Sequence, residues 1–184
     1  MNSLRFEYRN NGIILRVLLP NEFMKSLQFY AKNKDSFDCY EIKKPDGFYT
    51  PGFQEKILKA EYENFIRGNS IRYFLFDERF PDDIIGCISF FDIKHSDFER
   101  CVTGYKIDEE YRRMGYGTKM LSLATHIITH DFGIHRVEAY IMPSNKPSVR
   151  LAQNCGYEAE GIAKGYVRLN GEWVDHLRYV YVMS

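Results

Sequence analysis

Hydrophobic positions recur at two different periods along the chain, and each period predicts a kind of element. Over residues 118–132 apolar side chains fall at i, i+1, i+4, i+7 and i+8, the spacing of a helix with one buried face, and Gly133 can end that helix. From His135 to Met142 apolar and polar residues alternate instead, as they do in a strand. A strand that follows this helix implies a crossover connection back to a sheet.

The same patterns, together with turn residues, predict the remaining elements. Further strands are expected at 13–18, 71–76, 84–91 and 101–107, and a final pair should flank the turn Asn170-Gly171. Further helices are expected from Pro20-Asn21, from Thr50-Pro51, where Thr50 can cap the helix, and over 145–154. Residues 32–47 are predicted to be polar and irregular. This order predicts an α+β fold in which helices flank one central twisted sheet of mixed, mostly antiparallel strands.

The composition favours a single soluble domain. The 184 residues contain no linker-like or repetitive stretch, which predicts one domain over 1–184. Lysine plus arginine equals aspartate plus glutamate at 25 each, so no overall positive field would attract nucleic acid or an anionic membrane. The N-terminus lacks the apolar core of a signal peptide, and no stretch approaches the length of a membrane span. We therefore expect a cytoplasmic protein that binds neither nucleic acid nor membrane.

The cysteines and histidines do not form a metal-binding pattern. The cysteines are far apart and show neither a Cys-x-x-Cys pair nor a zinc spacing with the histidines. We interpret all four as reduced thiols of the core, namely Cys39, Cys87, Cys101 and Cys155. His126 and His130 are four residues apart, but Ile127 stands where a metalloprotease motif has glutamate. No metal site is predicted.

The segment between the strand at 101–107 and the long helix has the composition of an anion-binding turn. It consists of Arg112-Arg113-Met114-Gly115-Tyr116-Gly117-Thr118. The first N–H groups of a helix have no partner within it, and the two glycines would let a phosphate approach them closely. The side chains of Arg112 and Arg113 can add charge-assisted hydrogen bonds. A diphosphate fits such a turn.

Other interpretations of this turn were open to the same residues. An ordinary glycine-rich helix start with solvated arginines is one alternative. A P-loop requires Gly-Lys followed by Ser or Thr, but Thr118 separates Gly117 from Lys119. A dinucleotide fingerprint would need a third glycine at position 120, which is Met120. Neither nucleotide-binding motif is present.

Four separated motifs occur in a familiar order. They are Gly104-Tyr105-x-Ile107, Arg112-x-x-Gly115-x-Gly117-Thr118, Asn145-x-x-Ser148 and Gly156-Tyr157-Glu158-Ala159-Glu160-Gly161. Together they resemble the GNAT superfamily of N-acetyltransferases, and they are most similar to its Rim-type branch, which acetylates protein N-termini. The resemblance extends from about residue 84 to the C-terminus, whereas the first 80 residues resemble the family loosely. It implies a GNAT-like fold in which two neighbouring strands splay apart to hold acetyl-coenzyme A (acetyl-CoA).

The resemblance also implies a role for each motif. The pantetheine arm of acetyl-CoA would pair with backbone near Tyr105, Lys106 and Ile107. The pyrophosphate would lie on the turn formed by Arg112, Arg113, Met114, Gly115, Tyr116, Gly117 and Thr118. Asn145 and Ser148 would face the thioester. Much of the superfamily has a tyrosine seven residues after this asparagine that protonates the departing thiolate. Here that residue is Ala152, and Ser148, as in the Rim-type branch, is the candidate replacement.

Each candidate catalytic residue also has a purely structural interpretation. Ser148 could be a first-turn residue of its helix, and Asn145 could be the helix cap. Glu138 shares a strand face with Arg136 and Tyr140, where it could act as the general base or simply pair with a basic neighbour. No covalent enzyme intermediate is needed, because a bound amine can attack the thioester directly.

The acetyl acceptor is expected to be a primary amine, and three functions fit. The first is acetylation of a protein N-terminal α-amine, which loses its proton more readily than lysine does. The second is acetylation of a small molecule such as a polyamine or an aminoglycoside. The third is a non-catalytic module that binds coenzyme A or a protein partner. The composition is also compatible with a homodimer.

Overall fold

The chain folds around one eight-stranded sheet, and the computed structural model describes residues 5–183. The strands are β1 (Glu7–Asn10), β2 (Ile13–Arg16), β3 (Ile71–Asp77), β4 (Gly86–Lys94), β5 (Arg100–Ile107), β6 (Arg136–Ile141), β7 (Glu158–Leu169) and β8 (Glu172–Val182). The helices are α1 (Phe23–Lys32), α2 (Lys34–Asp38), α3 (Pro51–Ile66), α4 (Tyr116–His130) and α5 (Lys146–Asn154). Short 3-10 turns at Pro20–Glu22 and Glu109–Tyr111 lead into α1 and α4.

The sheet is antiparallel except at one pair of strands. Its order is β1-β2-β3-β4-β5-β6-β8-β7, and β5 and β6 are the parallel pair. Helix α4 provides the crossover between them, because two parallel neighbours cannot be joined by a tight turn. The predicted α+β class with a mixed, mostly antiparallel sheet is confirmed.

Two hydrophobic cores cover the two faces of the sheet. One lies under α4 and includes Met120, Leu121 and Ala124, all with no exposed surface. The other lies under α1, α2 and α3 and includes Phe29, Phe37, Leu58, Phe74 and Cys87. The alternation of each strand sends one set of side chains to each core. Among the residues described, no helix has both the length and the apolar character needed to cross a membrane.

Two elements were missed by the sequence patterns. Strand β1 has mostly exposed side chains, so it lacks an apolar alternation, although the Asn11-Gly12 pair that joins it to β2 is a hairpin signal. Helix α2 falls within the stretch predicted to be irregular. It has five residues and one buried side chain, Phe37, which is too little to show a helical period.

Two side chains also differ from expectation. Thr50 does precede α3, but its side chain makes no capping bond and its Oγ1 donates instead to the Gly47 carbonyl (2.7 Å). Pro51 occupies the first helical turn as predicted, so the helix starts there without that cap. Cys39 is exposed and is therefore not a core thiol, because it follows α2 on the surface, whereas Cys87 and Cys101 are buried and Cys155 is partly buried against the core.

Candidate active site

A cleft opens where β5 and β6 separate. The two strands are paired from Arg100–Arg136 to Thr103–Ala139, and β5 then continues to Ile107 paired with β4 on its other side. Two cavities occupy the gap, the larger with a volume of about 470 Å³ and the smaller with about 310 Å³. The residues that line both are Tyr40, Glu41, Tyr105, Lys106, Asn145 and Ser148. The two cavities therefore meet at a shared junction.

The N-terminal end of α4 forms one wall of the larger cavity. Gly115 precedes the helix with a φ of 84°, a left-handed conformation that favours glycine. Gly115 lines the larger cavity, and beyond its chain neighbours a Cβ atom there would meet no atom within 4 Å. The first turn of the helix closes with the bond from Lys119 N–H to the Gly115 carbonyl (3.1 Å). The N–H groups of Tyr116, Gly117 and Thr118 come before it, and a helix gives such groups no internal acceptor.

The larger cavity is also positively charged. Its lining includes the three arginines Arg112, Arg113 and Arg150. Arg112 Nη2 donates to Ser36 Oγ (2.9 Å), which holds the guanidinium near the turn. Glu41 is the one acidic residue in the described lining, and it is ion-paired with Lys44 and Lys106. Unopposed arginines beside a helix N-terminus fit a pyrophosphate.

Two residues of the predicted turn do not bring their side chains to the cavity. Met114 is 64% exposed and lines neither cavity. The Tyr116 hydroxyl points away and donates to the buried carboxylate of Asp77, which also accepts from Arg79 (2.8 Å). These bonds from Arg79 and Tyr116 hold the pKa of Asp77 well below its ordinary value. Tyr116 therefore ties the turn to the end of β3.

Asn145, Ser148 and Tyr105 form the junction between the cavities. Asn145 caps α5, since its Oδ1 accepts from the Ser148 N–H (3.2 Å), and its amide group is left to face the junction. Ser148 Oγ donates to the Tyr105 hydroxyl (3.0 Å), which donates in turn to the Ser148 carbonyl (3.2 Å). Burial raises the pKa of Tyr105 to about 12 despite its bond with Ser148, so the phenol is neutral at physiological pH. Asn145 can therefore cap α5 with its carbonyl oxygen and face the cleft with its amide group at the same time.

Position 152, where much of the superfamily has tyrosine, supplies no hydroxyl. Ala152 is completely buried against the α4 side of the sheet. Two hydroxyls, those of Ser148 and Tyr105, stand at the junction instead. Tyr105 was predicted to act through its backbone alone, so its side chain is a feature that the sequence did not indicate.

The smaller cavity lies on the face of the sheet covered by α1 and α3, and its wall includes the charged side chains of Glu41, Arg72 and Lys106. Arg72 donates to Ser89 Oγ (2.9 Å) and to the Tyr30 hydroxyl (3.2 Å), and it pairs with Glu61 (2.5 Å). Glu41 is close to Lys106 across the junction. Burial opposes ionisation of Glu41, but its pairs with Lys106 and Lys44 outweigh burial and lower its pKa. The carboxylate is therefore charged and already neutralised by lysines.

Glu138, the predicted general base, lines neither cavity. Its Oε1 accepts from Arg136 Nε (2.8 Å) and its Oε2 from the Tyr140 hydroxyl (2.7 Å), and the side chain is buried. Burial would raise the pKa of Glu138, but the bonds from Arg136 and Tyr140 outweigh it and keep the pKa below its ordinary value. A carboxylate with both oxygens occupied and a lowered pKa is a weak proton acceptor.

Several residues of the site could not be found by motif. Ser36, Phe37, Tyr40 and Glu41 come from α2 and the loop after it, a segment without periodicity. A signal existed for Arg72, because it interrupts the apolar run of β3, and a charged residue in such a run needs a partner or a function. His176 on β8 lines the smaller cavity and carries no local sequence signature.

Similarity to known proteins extends across most of the chain. A family model described as an acetyltransferase (GNAT) domain matches residues 13–158, so the elements from β2 to α5 lie within the matched domain. The [ribosomal protein uS5]-alanine N-acetyltransferase of Escherichia coli (strain K12) is 29% identical, and the similarity covers 94% of this chain and 93% of that protein.

Solved structures share the same fold. The ribosomal-protein-S5-alanine acetyltransferase of Vibrio fischeri superposes with a TM-score of 0.89 at 22% identity, covering 96% of each chain. RimJ of Mycobacterium smegmatis, solved in complex with CoA-disulfide, superposes with a TM-score of 0.86 at 17% identity, covering 92% of this chain and 81% of its own. With the family match over residues 13–158, these comparisons show that the chain belongs to the GNAT acetyltransferase family and is an acetyl-CoA-dependent N-acetyltransferase.

Proposed function

We propose that this enzyme transfers the acetyl group of acetyl-CoA to the α-amine at the N-terminus of a protein, by direct attack in a ternary complex. The observation that carries the proposal is the junction of the two cavities at Tyr105, Asn145 and Ser148. A donor in the larger cavity and an acceptor in the smaller one would bring thioester and amine together there. Positioning of two bound reactants is the main source of rate in such a reaction.

The shape and charge of the larger cavity support the donor's placement. The pyrophosphate would accept hydrogen bonds from the N–H groups at the start of α4 and from Arg112 and Arg113. The pantetheine arm would lie along the part of β5 that has no pairing with β6, where backbone groups of Tyr105, Lys106 and Ile107 can bond its amides. With the pyrophosphate at the start of α4 and the pantetheine arm along β5, the thioester would lie beside Ser148.

Ser148 is proposed to assist the departing thiolate. When the tetrahedral intermediate collapses, the C–S bond breaks and negative charge develops on sulfur. Ser148 Oγ, now bonded to the Tyr105 hydroxyl, would turn its proton toward that sulfur. The neutral Tyr105 phenol is close enough to restore the proton of Ser148, and the tyrosine would then regain its proton from solvent.

The smaller cavity favours a protein α-amine over a polycationic small molecule. Arg72 and Lys106 line it, each paired with a glutamate, so its described wall offers no unpaired carboxylate to attract a polyamine or an aminoglycoside. An α-amine titrates at about 7.7 to 8.0 and needs little help to lose its proton. Two of the similar proteins are named for acetylating alanine of a ribosomal protein, which supports the same acceptor class here. Such an acceptor is met in the cytoplasm, where we place the enzyme.

An acceptor screen tests the proposal. The enzyme is mixed with acetyl-CoA and one of three acceptors: a peptide with free N-terminal alanine, the same peptide blocked at its N-terminus but carrying lysine, or a polyamine. Coenzyme A release gives the rate, and mass spectrometry locates the acetyl group. We expect turnover with the free N-terminus alone. Preferred turnover of the polyamine would contradict the proposal, and binding of acetyl-CoA without turnover of any amine would indicate a non-catalytic module.

Arg112→Ala should weaken acetyl-CoA binding by roughly 1 to 3 kcal/mol, because it removes a charge-assisted bond to the pyrophosphate. The affinity that remains should depend less steeply on salt than that of the wild type. Calorimetry at several ionic strengths measures both effects. Arg67→Ala is the matched control, since Arg67 is exposed at the end of α3 and lines neither cavity. Equal affinities for the two variants would remove Arg112 from the donor site.

Tyr116→Phe should weaken acetyl-CoA binding by roughly three- to thirtyfold and leave kcat at saturating donor unchanged. The physical reason is that the lost hydroxyl no longer holds the turn against Asp77. Fluorescence titration with coenzyme A, together with kinetics, separates the two quantities. Tyr62→Phe is a control, because within residues 5–183 the Tyr62 hydroxyl makes no hydrogen bond. A Tyr116→Phe variant that melts earlier but binds donor normally would show that the bond serves stability alone.

A further inference from the structure

His176 stands on the wall of the smaller cavity without a part in the steps described so far. It belongs to β8, one residue beyond the last β6 pair, Ile141–Leu177, so it lies beside the end of β6 and near Met142. It shares a face of the sheet with Tyr140, since Tyr140 pairs with Arg178 two residues further along β8. The side chain is 6% exposed. What such a buried histidine can do depends on the surroundings of its two ring nitrogens.

The two nitrogens of His176 have different surroundings. Nδ1 is 3.2 Å from the Val174 carbonyl, so the neutral ring carries its proton on Nδ1 and a lone pair on Nε2. Within residues 5–183, Nε2 makes no hydrogen bond. If Nε2 were also fully enclosed, it would be a buried polar atom without a partner, but among the described residues the Tyr73 hydroxyl is the sole side-chain atom of that kind. Nε2 is therefore not enclosed by protein. Because the open space beside His176 is the smaller cavity, Nε2 faces that cavity.

Among the charged and titratable groups near the smaller cavity, His176 is the one free to accept a proton. Those on its own side of the sheet are Tyr140, Tyr166 and Arg178, and those across the cavity are Glu41, Arg72 and Lys106. Glu41 is held by lysines, and both oxygens of Glu138 are occupied. The Tyr166 ring packs against the imidazole with centroids 5.4 Å apart and fixes its plane. A free lone pair in a fixed direction is what a general base requires.

We propose that His176 Nε2 is the general base that takes a proton from the acceptor ammonium, an inference that rests on the proposed function. An N–H bond of the ammonium breaks, its electron pair stays on nitrogen, and the proton passes to Nε2 and then to solvent. The neutral amine attacks the thioester carbon. On collapse the C–S bond breaks, the nitrogen loses its second proton to solvent, and the thiolate gains a proton from Ser148, which regains one from solvent by way of Tyr105. Acetylated amine, coenzyme A and one released proton balance the reaction.

His176→Gln removes the base while keeping a polar side chain. We expect kcat/KM for a peptide with N-terminal alanine to fall about ten- to a hundredfold at pH 7, since base catalysis is commonly worth about a hundredfold or more and an α-amine is already partly neutral there. The loss should shrink as pH rises above the range of the free amine, about 7.7 to 8.0, because deprotonated acceptor then arrives from solution. Affinity for acetyl-CoA should not change. His126→Gln is the matched control: it makes the same substitution at an exposed histidine of α4 that lines neither cavity, and it should keep the wild-type pH profile.

A second variant tests the same inference without relying on glutamine. His176→Ala leaves a space that free imidazole can enter, and added imidazole should restore turnover in a saturable manner. A wild-type pH profile in His176→Gln, a loss that is equal at every pH, or no restoration of His176→Ala by imidazole would each overturn the role. If the wild type acetylates no free N-terminus, the proposed function itself has failed. Wild-type turnover combined with an unaffected His176→Gln variant would overturn the base assignment alone.

Discussion

Gly115→Val should lower the affinity for acetyl-CoA by about a hundredfold or more. Valine at a φ of 84° is strained by about 1–3 kcal/mol, so the turn is expected to change shape. Gly115 lines the larger cavity, and beyond its chain neighbours no protein atom lies within 4 Å of the Cβ position, so the valine side chain would also take up open space beside the turn. A phosphate could then no longer approach the N–H groups of Tyr116 and Gly117. Calorimetric titration with acetyl-CoA measures the loss, at about 1.4 kcal/mol for each factor of ten.

Gly133→Val separates strain from blocked binding. Gly133 follows the other end of α4 and has a φ of 67°. Beyond its chain neighbours, a Cβ atom at Gly133 would also meet no atom within 4 Å. It lines neither cavity. We therefore expect Gly133→Val to destabilise the fold by a similar amount and to bind acetyl-CoA normally. Equal affinities of the two variants would mean that the pyrophosphate lies elsewhere.

Ser148→Ala should lower kcat about ten- to a hundredfold while acetyl-CoA affinity stays within about twofold. A bond to sulfur that strengthens as negative charge develops contributes little to ground-state binding and much to the transition state. The expected loss lies toward the lower part of the usual range for acid catalysis because a thiolate is already a good leaving group. Single-turnover kinetics with the best acceptor peptide would show the change in the chemical step directly.

Two further variants show which group donates the proton to the thiolate. Ser122→Ala removes a hydroxyl on α4 that bonds Cys155 Sγ and lines neither cavity, so it should leave kcat unchanged. Tyr105→Phe removes the hydroxyl to which Ser148 now donates. Full turnover of Ser148→Ala with loss in Tyr105→Phe would assign the proton to tyrosine. Full turnover of both would leave water as the acid.

The lining of the larger cavity was largely predictable because its determinants are local. The helical period of α4, the glycines before it and the neighbouring arginines all lie within one short stretch of chain. The structure places Arg112, Arg113, Gly115, Gly117 and Thr118 on one cavity, together with Asn145 and Ser148 from α5. A helix that begins after a strand always presents its N–H groups at that junction, so the pattern and the geometry are closely linked.

The rest depended on contacts between distant parts of the chain. The Tyr116 side chain is directed by its hydrogen bond to Asp77, which is 39 residues away. Helix α2 brings Glu41 to the cleft, although a five-residue helix shows no period. His176 reaches the smaller cavity because β8 pairs beside β6. Hydrophobic periodicity and sequence motifs do not reveal such long-range pairings.

The short contact between β5 and β6 also affects how the protein should respond to its donor on heating. Four residue pairs join the part of the sheet containing β1–β5 to the part containing β6, β7 and β8. A ligand that binds the folded state alone stabilises it by about 2.7 kcal/mol at 100 times its dissociation constant. Acetyl-CoA in the larger cavity would contact β5 and also α5, which links β6 to β7, so the melting temperature should rise and the amides of residues 104–107 should exchange more slowly with solvent. Its arm would complete the sheet as a strand that the chain itself does not supply.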